Sequence, residues 1–247
     1  MPVNAVPIKA VVWDIDDTIF DYATADATGM HAHLTAEGLL ERYESAERAL
    51  ARWRLLTERH WARFGAGGIT FESQRRDRVR DFLDAPGLSD TDADAWFDRY
   101  VGHYESAWSL FPDTVPALDA LADGYRHAVL SNSALFVQER KLRRLGVRDR
   151  FEAVLCAADL GFSKPAAEAF HAACTALGLT PAEVAYVGDQ PEIDARGARD
   201  AGLLGIWLDR HGTAGDGPSG VHRITHLGEL PALLRADTRF GAPSTFG

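Results

Sequence analysis

Three acids, Asp14, Asp16 and Asp17, follow directly on the apolar run Ile8–Trp13. That run is rich in β-branched residues and reads as a short buried strand. It would carry Asp14 and Asp16, two residues apart, to one end of a core element. Carboxylates gathered there are costly unless something neutralises them, since two unit charges about 4 Å apart repel by about 4 kcal/mol at an effective dielectric of about 20. A hard divalent cation is the usual remedy, and an all-oxygen set without His or Cys suits Mg²⁺. The plain alternative is a solvated turn after a strand, so the remaining elements decide.

The 247-residue chain is long enough for one large domain or a core with a smaller insert. No apolar run approaches a membrane span, and Met1–Pro7 lacks the charged and apolar regions of a secretory signal. Only Cys156 and Cys174 are present, so no disulfide framework is expected and a reducing cytoplasm fits. A net charge of −10 argues against a nucleic-acid polymer as partner. The only lysines are Lys9, Lys141 and Lys164.

From about Asp21 to Trp108 the spacing is helical, with breaks at Gly65–Gly68 and Ala85–Gly87 and helix starts at Thr70 or Ser73 and at Ser89–Asp94. About four helices are expected, one with an apolar face of Leu50, Trp53, Thr57, Trp61 and Phe64. Strand and helix alternate after Phe111-Pro112. Helices are expected over Thr114–Ala122, Ala134–Leu145, Ala166–Leu177, Pro191–Ala201 and Gly228–Arg235. Strands are expected over Arg126–Leu130, Ala153–Cys156, Val184–Val187, Leu204–Leu208 and, at an edge, Arg223–Leu227. This alternation implies right-handed crossovers and a parallel sheet. Gly212–Gly220 reads as a loop, and the tail after Ala236 as weakly ordered.

In an open parallel sheet the ligand site lies beyond the carboxyl ends of the strands. Four such ends carry polar groups: Asp14 and Asp16; Ser131-Asn132; the loop Gly161–Pro165 with Lys164; and Asp189 with Asp194. Each has an ordinary reading as turn, cap or solvated charge, but four on one sheet edge are better explained together. The set suits phosphoryl chemistry. A carboxylate can attack phosphorus, a second acid can protonate the departing alcohol and then activate water, a metal ion can hold the phosphate, and a hydroxyl, an amide and an ammonium can bind the remaining oxygens. Neither a serine nucleophile elbow, nor zinc-spaced His and Cys, nor a glycine-rich nucleotide fingerprint is present.

The chain resembles the haloacid dehalogenase-like hydrolase superfamily. Its four signatures stand as Asp14-Ile15-Asp16-Asp17-Thr18, Leu130-Ser131-Asn132, Ser163-Lys164-Pro165 and Gly188-Asp189-Gln190-Pro191-Glu192-Ile193-Asp194. The resemblance implies an α/β, Rossmann-like parallel-sheet core over residues 1–20 and 109–247. Residues 21–108 would form an inserted helical cap of the C1 type, which closes over the site. It implies Asp14 as nucleophile and Asp16 as general acid/base. Mg²⁺ would be held by Asp14, the Asp16 backbone carbonyl and Asp189, with Asp194 acting through water. Ser131, Asn132 and Lys164 would hold the phosphoryl group.

Within that family, Asp16 stands where the dehalogenase branch typically has Tyr. An acid that can protonate a leaving alcohol points to phosphate esters. The phosphonate branch needs a cap lysine, and residues 21–108 contain none. A non-catalytic binding protein would be expected to have lost Asp14, Asp16 or Lys164. The expectation is a cytoplasmic Mg²⁺-dependent phosphatase, monomer or homodimer, acting on a small phosphorylated metabolite through an aspartyl-phosphate. The Phe20-Asp21 entry and the glycine turn before Ile69-Thr70 resemble the pyrimidine 5′-nucleotidase type, which makes a nucleoside 5′-monophosphate one candidate. Sugar phosphates and FMN are others, and a phosphotransferase or mutase would share the same residues. Trp53, Trp61, Trp96 and Trp108 are expected to pack within the cap, and Arg75, Arg76, Arg78 and Arg80 to form a solvated face alternating with Asp77 and Asp81. His31 and His33 make a poor metal pair.

Overall fold

A computed structural model describes residues 6–65, 67–212, 215 and 217–237. The chain divides into two compact units, Met1–Asp21 with Leu110–Gly247 and, between them in sequence, Tyr22–Ser109. In the first, β1 (Ala10–Trp13), α5 (Thr114–Leu121), β2 (Arg126–Ser131), α6 (Leu135–Arg144), β3 (Ala153–Cys156), α7 (Ala157–Leu160), α8 (Ala167–Leu177), β4 (Val184–Gly188), α9 (Gly197–Asp200), β5 (Leu204–Leu208), β6 (His222–Ile224) and α10 (Leu230–Asp237) follow one another. The second holds α1 (Tyr22–Ala36), α2 (Ala46–Gly65), α3 (Phe71–Leu83) and α4 (Asp90–Ser106).

The six strands lie in the order β3-β2-β1-β4-β5-β6, and every pairing is parallel. Strand order reverses between β1 and β4, which makes that crevice the topological switch point. Because side chains alternate along a strand, Ala10 and Val12 of β1, Ala128 and Leu130 of β2, and Val184 and Tyr186 of β4 share one face. They pack there against Phe170, Ala173 and Leu177 of α8. On the other face, Trp13 donates its indole N–H to His127 Nδ1 at 3.0 Å.

Most expected elements appear with ends shifted by a residue or two, and three differ more. The stretch Pro191–Ala201 is a π-helical turn over Pro191–Arg196 followed by α9. Here the Asp194 carboxylate turns back onto the chain and accepts from the Gln190 N–H at 3.0 Å. The edge strand ends at Ile224 because the Glu229 side chain captures the N–H groups of Thr225 and His226 at 2.8 and 3.2 Å. The short helix α7, closed by Gly161 at φ 81°, has no periodic signature and was not expected. Of the tail after Ala236, residues 238–247 lie outside the described set.

In the helical unit, α1 packs on α4 and α2 on α3. Gly29 lets α1 and α4 approach closely, since a Cβ there would overlap the Tyr104 backbone. Thr70 and Ser89 cap α3 and α4, each accepting an N–H at 3.1 Å. The buried face of α2 is Ala49, Trp53, Leu56 and His60; the expected stripe through Thr57, Trp61 and Phe64 is only partly covered. Trp53 and Trp96 are core; the Trp53 ring meets Phe82 and Tyr100 edge-on and Trp96 and Phe97 at a tilt.

The arginine run is not simply a solvated face. Arg75 pairs with Asp98, and Arg76 and Arg80 pair with Asp90 of α4. Arg78 is buried, with its guanidinium 4.6 Å from the Trp53 ring centroid. His33 is buried against Trp96, and burial pushes its pKa down to about 4; His31 is exposed. Among the described residues no helix is long and apolar enough to cross a membrane.

Candidate active site

Asp14 extends β1 by one more ladder bond, its N–H donating to the Val187 carbonyl at 2.9 Å. The chain then turns sharply. The Ile15 carbonyl accepts from the N–H groups of Thr18, Ile19 and Phe20, and Asp17 takes a left-handed φ of 60°. This turn brings buried Thr18 back so that its hydroxyl donates to Asp14 Oδ2 at 3.1 Å. Lys164 Nζ reaches the other oxygen, Oδ1, at 2.7 Å.

An ammonium has three N–H groups, and Lys164 uses all three: on Asp14, on Asp194 Oδ1 at 2.8 Å and on the Tyr186 hydroxyl at 2.7 Å. That hydroxyl donates onward to the Leu130 carbonyl at 3.0 Å. The Lys164 backbone is fixed by Asn132, whose carboxamide donates to the Lys164 carbonyl at 2.9 Å and accepts its N–H at 2.8 Å. Asn132 thus belongs to the site as a brace for Lys164. Gly188 is required because any Cβ would fall inside the Asp194 carboxylate.

Electrostatics are adverse to the acids. Burial, with Asp194 and Asp16 adding to it, pushes Asp14 up to about 7 in spite of Lys164. Burial, then Asp14, Asp194 and Asp17, pushes Asp189 up to about 8. For Lys164, burial acts to lower the pKa, but the Asp14 and Asp194 carboxylates outweigh it and hold the ammonium above its ordinary range. One oxygen from each of Asp14, Asp189 and Asp194 lies within 4.8 Å of the others. Asp189 Oδ1 is buried without a hydrogen-bond partner. Three carboxylates against one ammonium, with an orphaned buried oxygen and oxygen donors throughout, fit a hard divalent cation such as Mg²⁺.

Asp16 is outside this cluster. Its side chain, 34% exposed, turns to α6. Oδ2 accepts from Gln138 Nε2 at 2.8 Å, and Oδ1 is paired with Lys141 Nζ. Gln138 Nε2 also lies 3.1 Å from the buried Ser131 hydroxyl. The structure therefore gathers Asp14, Lys164, Asn132, Asp189 and Asp194 directly, and joins Asp16 and Ser131 through Gln138.

Sequence reasoning missed Gln138, Lys141, Tyr186 and Thr18's hydrogen bond. A signal existed for Lys141, one of only three lysines and three residues from Gln138 on one helix face. Burial pushes Cys156 up to about 12 and Cys174 up to about 11, so neither is a reactive thiol.

Fold and site define an α/β protein of the doubly wound type, with acids and a lysine gathered around the switch point. The chain belongs to the haloacid dehalogenase-like hydrolase family, whose profile matches residues 8–202. It is 30% identical over 229 residues to a phosphoserine phosphatase of Thermus thermophilus, covering 82% of this chain and 89% of that one. A pyrimidine 5′-nucleotidase of Escherichia coli, YjjG, aligns over 141 residues at 27% identity, 56% of this chain and 62% of that one. Among solved structures, a 2-haloacid dehalogenase from Pseudomonas syringae pv. Tomato superposes with a TM-score of 0.69 at 26% identity, over 93% of this chain and 99% of that one.

Proposed function

We propose that this hydrolase is a Mg²⁺-dependent phosphatase, acting in the cytoplasm on a small phosphorylated metabolite through an aspartyl-phosphate on Asp14. The observation that carries the reading is Asp14 itself, a buried strand-end carboxylate held on both oxygens by Thr18 and Lys164 beside the unpartnered Asp189 oxygen. In the first step an Asp14 oxygen bonds to phosphorus and the bond from phosphorus to the ester oxygen breaks. Asp16, protonated, gives its proton to that departing oxygen and is left as a carboxylate. In the second step water bonds to phosphorus, Asp16 takes the water's proton, and the bond from phosphorus to Asp14 breaks. The sum is phosphate ester plus water to alcohol plus inorganic phosphate.

Lys164 and the Ser131 hydroxyl stabilise the phosphoryl oxygens as they gain charge, while Asn132 keeps Lys164 in place. Asp14, the Asp16 backbone carbonyl and Asp189 would hold Mg²⁺, with Asp194 assisting through water. Once bound, the ion would neutralise the acids and the phosphate together. The relatives named for phosphoserine and pyrimidine nucleotides favour phosphate esters. The likeness to a dehalogenase lies in the shared fold, and attack on carbon would leave the Asp16 acid without a task.

The test is phosphate release from p-nitrophenyl phosphate and from a panel of nucleoside monophosphates, sugar phosphates, phosphoserine and FMN, each with and without Mg²⁺. Metal-dependent release is expected. Silence across the panel would contradict the reading, and phosphoryl transfer to an added alcohol in place of water would make the protein a phosphotransferase.

A further inference from the structure

The α6 helix presents Gln138, Lys141 and Leu142 to the protein interior. A helix packed on a sheet normally fills such positions with apolar side chains. Here Gln138 is 0% and Lys141 2% exposed. A buried ammonium is costly unless paired, and this one faces Asp16 Oδ1 while lying 4.2 Å from the centroid of the Phe20 ring. Gln138 is turned so that its Nε2 serves both Asp16 and Ser131, leaving its buried Oε1 without a partner. The opposite orientation would aim the amide carbonyl at a carboxylate. Both residues therefore sacrifice local stability in favour of one acid, and they hold its two oxygens separately.

We infer that Gln138 and Lys141 are positioning residues for Asp16, locking its carboxyl plane for proton transfer and tying it, through Gln138, to the phosphoryl-binding Ser131. A carboxyl group held at both oxygens cannot swing about its terminal torsion, so its proton-bearing oxygen stays aimed while the ester bond breaks. This inference rests on the phosphatase reading. It concerns the departing oxygen, whose need for a proton grows with the basicity of the leaving group. p-Nitrophenolate leaves its phosphate ester readily without a proton, whereas the more basic phenolate of phenyl phosphate, an ester of similar size, does not.

The experiment compares kcat/KM, which reports the step that breaks the ester bond, for these two esters in wild-type, D16N, K141M and Q138M proteins, with inhibition by inorganic phosphate as the binding control. K141M is expected to lower kcat/KM for phenyl phosphate by about 10²-fold and for p-nitrophenyl phosphate by less than about tenfold, as a misplaced proton donor should. Inhibition by inorganic phosphate should change by less than about twofold, since phosphate binding does not use Lys141 in this scheme. Q138M, which removes no buried charge, should show the same selectivity more weakly, and it answers the question if K141M does not fold. Equal losses on both esters, or a matching loss of phosphate inhibition, would overturn the positioning role. If D16N shows the selectivity and K141M and Q138M do not, this inference alone fails. If D16N itself is unselective, Asp16 is not the proton donor, and that part of the phosphatase reading fails and this inference with it.

Discussion

At Asp14 and Asp189 the protein's own surroundings work against the charge that the proposed chemistry requires. Their ordinary pKa of 3.8 rises to about 7 and about 8 through burial and mutual repulsion. The folded chain then keeps protons that the unfolded chain releases. The stability these groups contribute is full below about pH 4 and is lost as pH rises through 7 and 8. Metal-free protein should accordingly melt at a lower temperature at pH 8 than at pH 5. Asp189→Asn should raise the metal-free melting temperature at pH 8 by a few degrees while abolishing turnover, a stability–activity exchange expected where like charges are held together. Melting curves in chelator check this, and an unchanged or lower melting temperature for the variant would contradict it. Tyr186→Phe removes an acceptor from Lys164 and a donor to Leu130, and should cost about 1–3 kcal/mol by denaturant titration together with a loss in kcat. The signature acids and Lys164 were legible in the sequence because their residue types are expensive at strand ends. Tyr186 was not, because a tyrosine within an apolar strand has the same pattern whether its hydroxyl meets a backbone group or the buried ammonium of Lys164. Lys141 was noticed only for its rarity, since a helix lysine is ordinarily solvated.

Among the elements, β1 runs directly into Asp14, and β2 and β4 end in Ser131 and Gly188, residues that the site uses, and all three were readable from apolar runs closed by polar residues. The departures came where side chains capture the backbone. Glu229 halts β6, and Asp194 sits in a π-helical turn that periodicity reads as ordinary helix. On α2, a stripe chosen by hydrophobic residue type overlooked His60, which is buried while its imidazole meets Asp81 at 2.9 Å. Arg75, Arg76 and Arg80 of α3 were read as solvated because the acids Asp90, Asp94 and Asp98 that they pair with belong to another helix, and pairing between helices leaves no mark in local spacing. At Gly29 an added Cβ would lie 2.5 Å from the Tyr104 Cα, so α1 and α4 have no room for a side chain there. Gly29→Ala should push α1 from α4 and cost about 1–3 kcal/mol as overpacking does. A lowered denaturation midpoint at unchanged slope checks it, and an unchanged midpoint would contradict the close approach.

At the scale of the whole molecule, a chain of net charge −10 concentrates three carboxylates within a few ångströms at the switch point of its sheet, with one ammonium to balance them. A divalent cation should therefore do two things at once. Added Mg²⁺ should raise the melting temperature more at pH 8 than at pH 5, because more carboxylate is ionised there, and exhaustive chelation should stop phosphate release. Equal stabilisation at both values, or activity that persists in chelator, would separate the acid cluster from metal binding. The central claim is the covalent bond between Asp14 and phosphorus. Its most direct measurement is mass spectrometry of the Asp16→Asn protein, quenched in acid soon after mixing with a turned-over phosphate ester and digested. The account predicts the added mass of one phosphoryl group, sensitive to hydroxylamine, on the peptide that carries Asp14. An unmodified Asp14 peptide while phosphate is being released, or the phosphoryl group on any other residue, would contradict it.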